Sequence, residues 1–214
     1  MKNVYRFILI FTLILWACEK EPNLPPKTED LPAEQDPFLE EIVYEVGDYY
    51  EQAGVAGIVY KVSEDGKSGM LLSLEEGDCA WAWDMILTGA SNKTNGLFNM
   101  AAVSDIENWK ERYPMFKWCA DLGEGWYVPS VDELYDVYLA FNGKMGANNT
   151  TMQAFFNNRI TSNGGVALSG KAYRSSTETA EYYAMLVDFA NGNKFDNYKA
   201  YRYGVRAVRS FTVE

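Results

Sequence analysis

The stretch of residues 173–211 constrains the fold more than any other part of this 214-residue chain. It opens with a small polar block, residues 175–178, and closes with residues 205–211. Alternate residues of a strand lie on opposite faces, and each face of the closing segment mixes apolar residues with arginine or serine. The pattern therefore predicts a strand held in place by partners for Arg206 and Arg209.

The tract between these two blocks is rich in tyrosine, asparagine, lysine and glycine, which is too polar and too aromatic for a core. Tyrosine supplies large, rigid contact area, and asparagine supplies adaptable hydrogen bonds. Exposed aromatic surface usually marks an interaction site. We therefore predict a binding face here, with a mobile polar loop as the alternative. The candidate contact residues are Tyr182, Tyr183, Phe195, Asn197, Tyr198 and Tyr201.

Two motifs resemble the bacterial major-paralogous (FISUMP-type) and Lcl-type domains. Residues 125–134, GWYVPSVDEL, are similar to the family pattern G-W-x-L-P-S-x-x-E-L. Residues 173–211 are similar to the family's ending, which runs from Y-W-S-S-T-E to V-R-x-V-R-x-F. Arg174 stands where the family usually has tryptophan, which bears on the packing beside Tyr173.

The families named above are similar to C-type-lectin-like folds, and that likeness sets the expected fold class. It implies an α+β fold, a C-type-lectin-like domain with two helices and a mostly antiparallel, twisted sheet. In such folds the loops and strands that correspond to the tyrosine-rich tract face outward and hold the binding site. The resemblance therefore implies the same binding face as the composition does.

The residues predict several strands and loops directly. Residues 58–62 and 70–74, with an Asp-Gly turn between them, predict a hairpin. Residues 79–83 predict a further short strand, and residues 91–99 predict a loop. The polar stretch 148–170 predicts a long loop with one short helix. We expect the C-terminal strand to return to the N-terminal ones.

Capping patterns locate the helices. Residues 104–107 form a capping-box pattern, which predicts a helix that begins there. Residues 114–122 predict a helix that starts at a proline and stops at a glycine. Ser130 and Glu133 form a second capping box ahead of an apolar stripe at helical spacing. The sequence predicts that this helix ends at Asn142-Gly143.

The N-terminus has the layout of a secretory signal peptide, predicted to be residues 1–17. Lys2 and Arg6 precede an apolar run, residues 7–16, that is too short to span a bilayer. The run ends in Leu-Trp-Ala-Cys, which resembles a lipobox and predicts a lipid on Cys18 that anchors the chain to the membrane. Ordinary secretion and an uncleaved anchor are the alternatives.

A tether is predicted over residues 18–42, which leaves residues 43–214 as the ligand-binding domain. Five of the seven prolines fall between Pro22 and Pro37, interleaved with acidic residues, and such a segment buries too little apolar area to fold. The Glu-Lys-Glu that follows the cysteine resembles the signal that sends some Gram-negative lipoproteins to the cell surface. We therefore predict an outer-membrane lipoprotein exposed at the surface.

Composition excludes most catalytic chemistry. The chain contains no histidine, which removes histidine-dependent triads and histidine-ligated zinc. A glycosidase would need two carboxylates, but no pair stands out among the 30 acidic residues. The formal charge of −11, or −13 once Lys2 and Arg6 leave with the signal peptide, repels nucleic acid. We expect no enzyme, no cofactor, no metal and no nucleic-acid partner.

Cys79 and Cys119 are the thiols that remain if Cys18 carries lipid. An exported protein lies in an oxidising compartment, which favours a disulfide between them. Cysteine is also a common small core residue, so two free thiols are the alternative.

The predicted function is a surface-anchored lipoprotein that binds a glycan or protein through its tyrosine- and asparagine-rich C-terminal face. The alternatives are a structural or assembly subunit of a cell-surface complex and a variable binding protein diversified by a retroelement. Four charged residues within the motifs are predicted to form structural ion pairs that fix the C-terminal strand against the second predicted helix and the 175–178 block. These residues are Glu133, Glu178, Arg206 and Arg209.

Overall fold

Nine strands and five helices form the part of the chain that is described, residues 42–143 and 149–213 of a computed structural model. These residues belong to one compact unit, Glu41–Glu214. The predicted signal peptide 1–17, the predicted lipidation site Cys18 and the predicted tether as far as residue 41 lie outside the described residues. The strands are β1 (Tyr49–Gln52), β2 (Val55–Val62), β3 (Ser68–Leu72), β4 (Gly77–Cys79), β5 (Ala172–Glu178), β6 (Tyr183–Asp188), β7 (Lys194–Tyr198), β8 (Tyr203–Val205) and β9 (Val208–Thr212). The helices are α1 (Gly96–Ser104), α2 (Trp109–Arg112), α3 (Pro114–Asp121), α4 (Val131–Asn142) and α5 (Thr150–Ser162).

The first sheet has the strand order β1-β2-β3-β9, and all of its neighbours are antiparallel. Side chains alternate along each strand, so this sheet buries apolar residues on both faces. Ile58 and Leu72 lie in the core that α4 and α5 cover, whereas Val59 and Leu71 pack against Tyr50 on the other face. The predicted hairpin and the predicted return of the C-terminal strand to the N-terminal ones are both confirmed.

The second sheet has the order β4-β8-β5-β6-β7, with β5 and β8 parallel and the other neighbours antiparallel. The single strand predicted over residues 205–211 is wrong, because this segment is divided between β8 and β9, which belong to different sheets. The break occurs where Arg206 is buried and where Ala207 exchanges hydrogen bonds with Ser73, outside either sheet. The chain thereby joins the two sheets.

The capping box that opens α4 forms as the sequence predicts. The Ser130 hydroxyl accepts a hydrogen bond from the backbone of Glu133 at 3.3 Å, and the Glu133 carboxylate accepts one from the backbone of Ser130 at 2.8 Å. Gly143 follows the last residue of α4 with a positive φ of 75°, a conformation that glycine adopts easily. The predicted helix over 114–122 is also present, as α3.

The helix start predicted at residues 104–107 is wrong, because Ser104 is the last residue of α1. Asn95 caps the start of α1 instead, and its side chain accepts a hydrogen bond from the backbone of Phe98 at 2.9 Å. The Ser104 hydroxyl donates back to the carbonyl of Ala101 at 3.0 Å. The predicted loop over 91–99 therefore ends at Asn95, which caps α1. A serine in a local capping pattern can lie at either end of a helix, so the pattern at 104–107 does not identify a helix start.

Two further segments differ from the sequence predictions. The stretch 148–170 contains the 13-residue helix α5, because Phe156 and Ile160, one turn apart, are buried in the main core and stabilise an otherwise polar helix. The strand predicted over residues 79–83 is confined to Gly77–Cys79, since Trp81 turns into a second core and its backbone bonds outside the sheet. The described residues form five helices rather than two, and the α+β class with mostly antiparallel sheets is confirmed.

Candidate functional site

Four of the six predicted contact residues come together around the half-buried ring of Tyr198. The Tyr182 ring lies parallel to it, with centroids 6.2 Å apart and an interplanar angle of 10°. The rings of Tyr183 and Tyr201 meet it edge-on, at 6.4 Å and 5.5 Å. The side chains of Tyr182, Tyr183 and Tyr201 are exposed. We call these four residues the tyrosine face.

Phe195 and Asn197 lie on the opposite face of the second sheet. Side chains alternate along β7, which places Tyr198 and Asp196 on one face and these two residues on the other. Asn197 uses its amide to donate a hydrogen bond to the Tyr203 hydroxyl at 2.6 Å. Phe195 stays exposed at the edge of the sheet. The structure therefore separates these two candidates from the tyrosine face.

The fully buried guanidinium of Arg174 supports the backbone beneath the tyrosine face. It stacks on the ring of Tyr203 at 4.7 Å and donates hydrogen bonds to main-chain carbonyls. Burial lowers the pKa of Arg174 to about 10, so the group stays charged at neutral pH. Arg174 thus fixes the loop from which the tyrosines project. The acceptors are the carbonyls of Ala184 at 2.8 Å, Asn197 at 3.1 Å, Tyr198 at 2.9 Å and Tyr201 at 3.4 Å.

A buried ion pair lies beside the tyrosine face. Lys199 and Glu178 are 2.8 Å apart, and their side chains are 0% and 2% exposed. The Lys199 ammonium also donates to the carbonyl of Ile86 at 3.0 Å and lies 4.4 Å from the centre of the Trp81 ring. Burial lowers the pKa of Lys199, and the hydrogen bond with Glu178 opposes that shift. Sequence reasoning missed this lysine because it lies in a polar tract.

Glu178 continues the network into the segment that precedes α1. Its carboxylate accepts hydrogen bonds from the backbone amides of Thr88, at 2.9 Å, and Gly89, at 2.7 Å. Charge-assisted bonds of this kind are stronger than neutral ones. The ion pair therefore ties the 83–89 segment to the end of β5.

An apolar loop at residues 83–87 adjoins the tyrosine face through Lys199. The backbone of Lys199 donates to Tyr182 at 2.8 Å and accepts from Trp81 at 2.8 Å, so the two segments are neighbours. The loop exposes the large apolar side chains of Trp83, Ile86 and Leu87. Sequence reasoning missed them as contact residues. The sequence feature that could have identified them is a cluster of apolar residues without strand or helix periodicity.

Arg206 was predicted to pair with the second predicted helix or the 175–178 block, but its hydrogen bonds go elsewhere. Its buried guanidinium bonds to the segment after β3 and to the carbonyl of Val166. Among its partners, Glu76 supplies a carboxylate at 3.2 Å. Burial is the main cause of a lowered pKa for Arg206. The other acceptors are the carbonyls of Ser73, Leu74 and Glu75, at 2.9–3.1 Å.

Glu133 and Arg209 contact neutral groups rather than each other. The Glu133 carboxylate accepts from the backbone of Gly96 at 2.8 Å and from the Tyr127 hydroxyl at 2.8 Å, in addition to its role in the capping box. Arg209 donates to the carbonyl of Glu124. Neither residue lies on the tyrosine face, and both of them tie segments that are distant in the sequence to one another.

Both cysteines of the described residues are free thiols, so the structure has no disulfide between Cys79 and Cys119. Cys119 is buried in α3 within the second core, and Cys79 packs against the edge of that core. Burial raises the pKa of both thiols. The two cysteines are therefore free thiols in or beside the core, which is the alternative that the sequence left open.

Residues 42–143 and 149–213 contain no group of three or more acidic or cysteine side chains placed to hold a metal ion. Within the same ranges, no helix combines the length and the apolar character that a membrane span requires.

Comparison with known proteins yields a likeness in fold. No family model matches the chain. No curated protein matches it. Among solved structures, the chain resembles a fimbrial protein from Bacteroides ovatus with a TM-score of 0.60 and 15% sequence identity.

The chain shares the fold of part of that fimbrial protein. The likeness covers 78% of this chain and 49% of the other, so the chain corresponds to about half of that protein's length. At this identity the likeness concerns the fold alone. No family model supports the resemblance to the major-paralogous and Lcl-type domains, which stays a prediction.

Proposed function

We propose that this chain is a non-catalytic structural subunit of a cell-surface assembly, and that its tyrosine face packs against a neighbouring subunit. The observation that carries the proposal is the tyrosine face itself, with the rings of Tyr182, Tyr183 and Tyr201 exposed around Tyr198. The fold shared with a fimbrial protein supports an assembly role. It favours this proposal over the sequence-based prediction of a surface lipoprotein that binds a glycan or protein ligand.

The rigidity of the tyrosine face favours its use as an interface. Tyrosine is enriched among the residues that dominate interface energies, and it loses little side-chain freedom on binding. The buried Arg174 holds the carbonyls of Tyr198 and Tyr201, so the loop between them is ordered before a partner arrives. A preorganised face avoids part of the entropic cost of association.

The test is the size of native complexes released gently from the cell surface. Wild-type protein should migrate in a large assembly. A Tyr182→Ala/Tyr198→Ala variant should migrate as a small species, because removal of central aromatics typically costs about 2 kcal/mol or more of binding each.

The matched control is Phe98→Ala on α1, because Phe98 is an aromatic residue that is 57% exposed and Tyr182, one of the two substituted tyrosines, is 47% exposed. This variant should stay in the assembly. A wild-type chain that migrates as a small species would overturn the proposal, and so would a tyrosine variant that remains fully assembled.

Glycan recognition is a second candidate, favoured by the exposed Tyr182 ring, which lies parallel to the half-buried Tyr198 ring. Flat aromatic faces suit the apolar faces of sugars. A glycan array probed with wild-type protein and with Tyr182→Ala separates the two candidates. A glycan signal that disappears in the variant, with no large complex on cells, would favour recognition over assembly.

Surface anchoring through a lipid on Cys18 remains part of the proposal. It rests on the lipobox-like Leu-Trp-Ala-Cys at the end of the apolar run. Cys18→Ser should yield unprocessed or released protein that carries no lipid label. A lipid-labelled variant that still fractionates with the outer membrane would contradict the anchor.

A further inference from the structure

The outer edge of the second sheet is open along β7 (Lys194–Tyr198). The described strands place β7 last in the order, paired only with β6. Its residues Lys194, Phe195 and Asp196 are all exposed. An open strand edge presents a row of main-chain donors and acceptors that can pair with another strand.

The hydrogen-bond pattern shows which residues of β7 face outward. The backbone of Asp188 bonds to Asn193 at 2.9 Å, and that of Lys199 bonds to Tyr182 at 2.8 Å. In an antiparallel pair, every second residue bonds to the neighbouring strand, so Phe195 and Asn197 also face β6. The main-chain groups of Lys194 and Asp196 therefore point away from the sheet.

We propose that a second copy of this chain pairs with β7 in antiparallel fashion, with Phe195 opposite Phe195 of the second copy. In this register Lys194 lies opposite Asp196 of the partner copy, and Asp196 lies opposite Lys194. Both positions have outward-facing main-chain groups, so the two strands form about four hydrogen bonds. A twofold axis at Phe195 makes the contact closed and self-complementary.

The side chains complement one another in this register and not in its neighbours. Opposite charges directly across a strand pair stabilise it, whereas like charges destabilise it. A slip that places Asp196 opposite Asp196 would bring like charges together. At the central position the two rings would lie at a non-hydrogen-bonded pair, where facing side chains are closest.

Lys194 and Asp196 already make contacts within their own chain, but these contacts leave both side chains able to bond to the second copy. Lys194 bonds to Asp132 at 2.6 Å, and Asp196 accepts from the Thr179 hydroxyl at 2.8 Å. An ammonium has three donors, and a carboxylate accepts several hydrogen bonds, so each group keeps capacity for the second copy. The contact also gives a role to Phe195, which the tyrosine face leaves out.

This interface is separate from the tyrosine face, so it can fail while the proposed function stands. The test is disulfide cross-linking of the full-length protein on intact cells under mild oxidation. Phe195→Cys should form a disulfide-linked homodimer, because facing cysteines at such a pair come within bonding range. Tyr201→Cys, on the exposed tyrosine face but off the edge strand, should not.

Charge reversal then tests the register. In the Phe195→Cys background, Lys194→Glu should lower the dimer yield by roughly fivefold, because it places like charges opposite each other twice. Adding Asp196→Lys should restore the yield, although it does not restore the contact with Asp132. A Phe195→Cys variant that cross-links no better than Tyr201→Cys would overturn the proposal. A double reversal that fails to recover would overturn the register.

Discussion

At the scale of single residues, the tyrosine face depends on Arg174, a cation buried beneath it. Arg174→Lys keeps the charge, but one ammonium cannot serve the same carbonyls as a guanidinium fork. We expect the free energy of unfolding to fall by about 1–3 kcal/mol, the usual effect of leaving buried acceptors unsatisfied. Urea denaturation measures the change. Arg159→Lys, at an exposed position on α5, is the control and should differ little from wild type.

The buried Lys199–Glu178 pair makes a second prediction at this scale. Glu178→Ala should cost about 3–5 kcal/mol, because it leaves Lys199 charged, buried and without its counter-ion. Adding Lys199→Met should recover part of that loss, since the methionine chain can pack against Trp81. Denaturation of both single variants and the double variant gives the coupling energy. Strictly additive effects would show that the pair does not act as a unit.

The sequence motifs pointed to Glu178 and Arg206 as structural residues, and both are buried with several hydrogen bonds. The same reasoning missed the roles of Lys199 and Arg174. Lys199 reaches the carbonyl of Ile86, which is 113 positions away in the chain, and no local pattern encodes such a partner. Whether a charged side chain is buried depends on groups that are far away in the sequence, so only the folded structure shows that burial.

At the scale of elements, one capping-box pattern begins a helix and the other does not, so their two serines supply a matched pair of variants. Ser130→Ala should lower the free energy of unfolding by about 1 kcal/mol, because the hydroxyl caps α4. Ser104→Ala should change it by less than about 0.5 kcal/mol, because the half-buried Ser104 is the last residue of α1 and its hydroxyl only bonds back to the carbonyl of Ala101. Thermal or urea denaturation compares them directly. Equal losses would contradict the assigned helix ends.

The elements that the sequence predicts well are those with strong local signals. The β2–β3 hairpin and the start of α4 follow from apolar runs, a turn and a capping box. Helix α5 was predicted only as one short helix within a long loop, because its composition is polar and its stability comes from Phe156 and Ile160 in the core. The break at Arg206 was missed because strand alternation continues across it. Tertiary contacts decided both cases.

At the scale of the whole molecule, burial of phenols makes stability fall at alkaline pH. Burial is the largest cause of a raised pKa for Tyr60, Tyr127 and Tyr173. Above about pH 10 the unfolded chain loses these protons while the folded chain keeps them, so the free energy of unfolding should decrease. The lowered pKa values of Lys199, Arg174 and Arg206 act in the opposite sense, but the tyrosines with a raised pKa outnumber these three groups.

Urea denaturation at a series of pH values from about 8 to 10.5 checks the alkaline loss. Tyr60→Phe should make the decline shallower, because it removes one of the buried phenols. Tyr201→Phe, at an exposed ring, should leave the slope unchanged. A stability that stays constant to the top of the series would contradict the assigned burial.

The fold class of the whole molecule was predictable from its motifs, whereas the sheet order was not. The predicted helices over residues 114–122 and after Ser130, the hairpin and the return of the C-terminal strand to the N-terminal ones indicate an α+β domain. The pairing of β4 with β8 joins strands about 125 residues apart in the sequence, and only their shared core specifies it. For the same reason the sequence located the tyrosine-rich tract but did not show that Phe195 leaves the tyrosine face.

Photo-cross-linking on intact cells tests whether the tyrosine face packs against a neighbouring subunit. A photoreactive amino acid replaces Tyr201 in one strain and Phe98 in another, two positions of nearly equal exposure. We expect position 201 to form one adduct of defined mass, and we expect this adduct to be lost when Tyr182→Ala is added. Position 98 should form no comparable adduct. An adduct that is absent at position 201, or equally strong at position 98, would contradict the proposed packing.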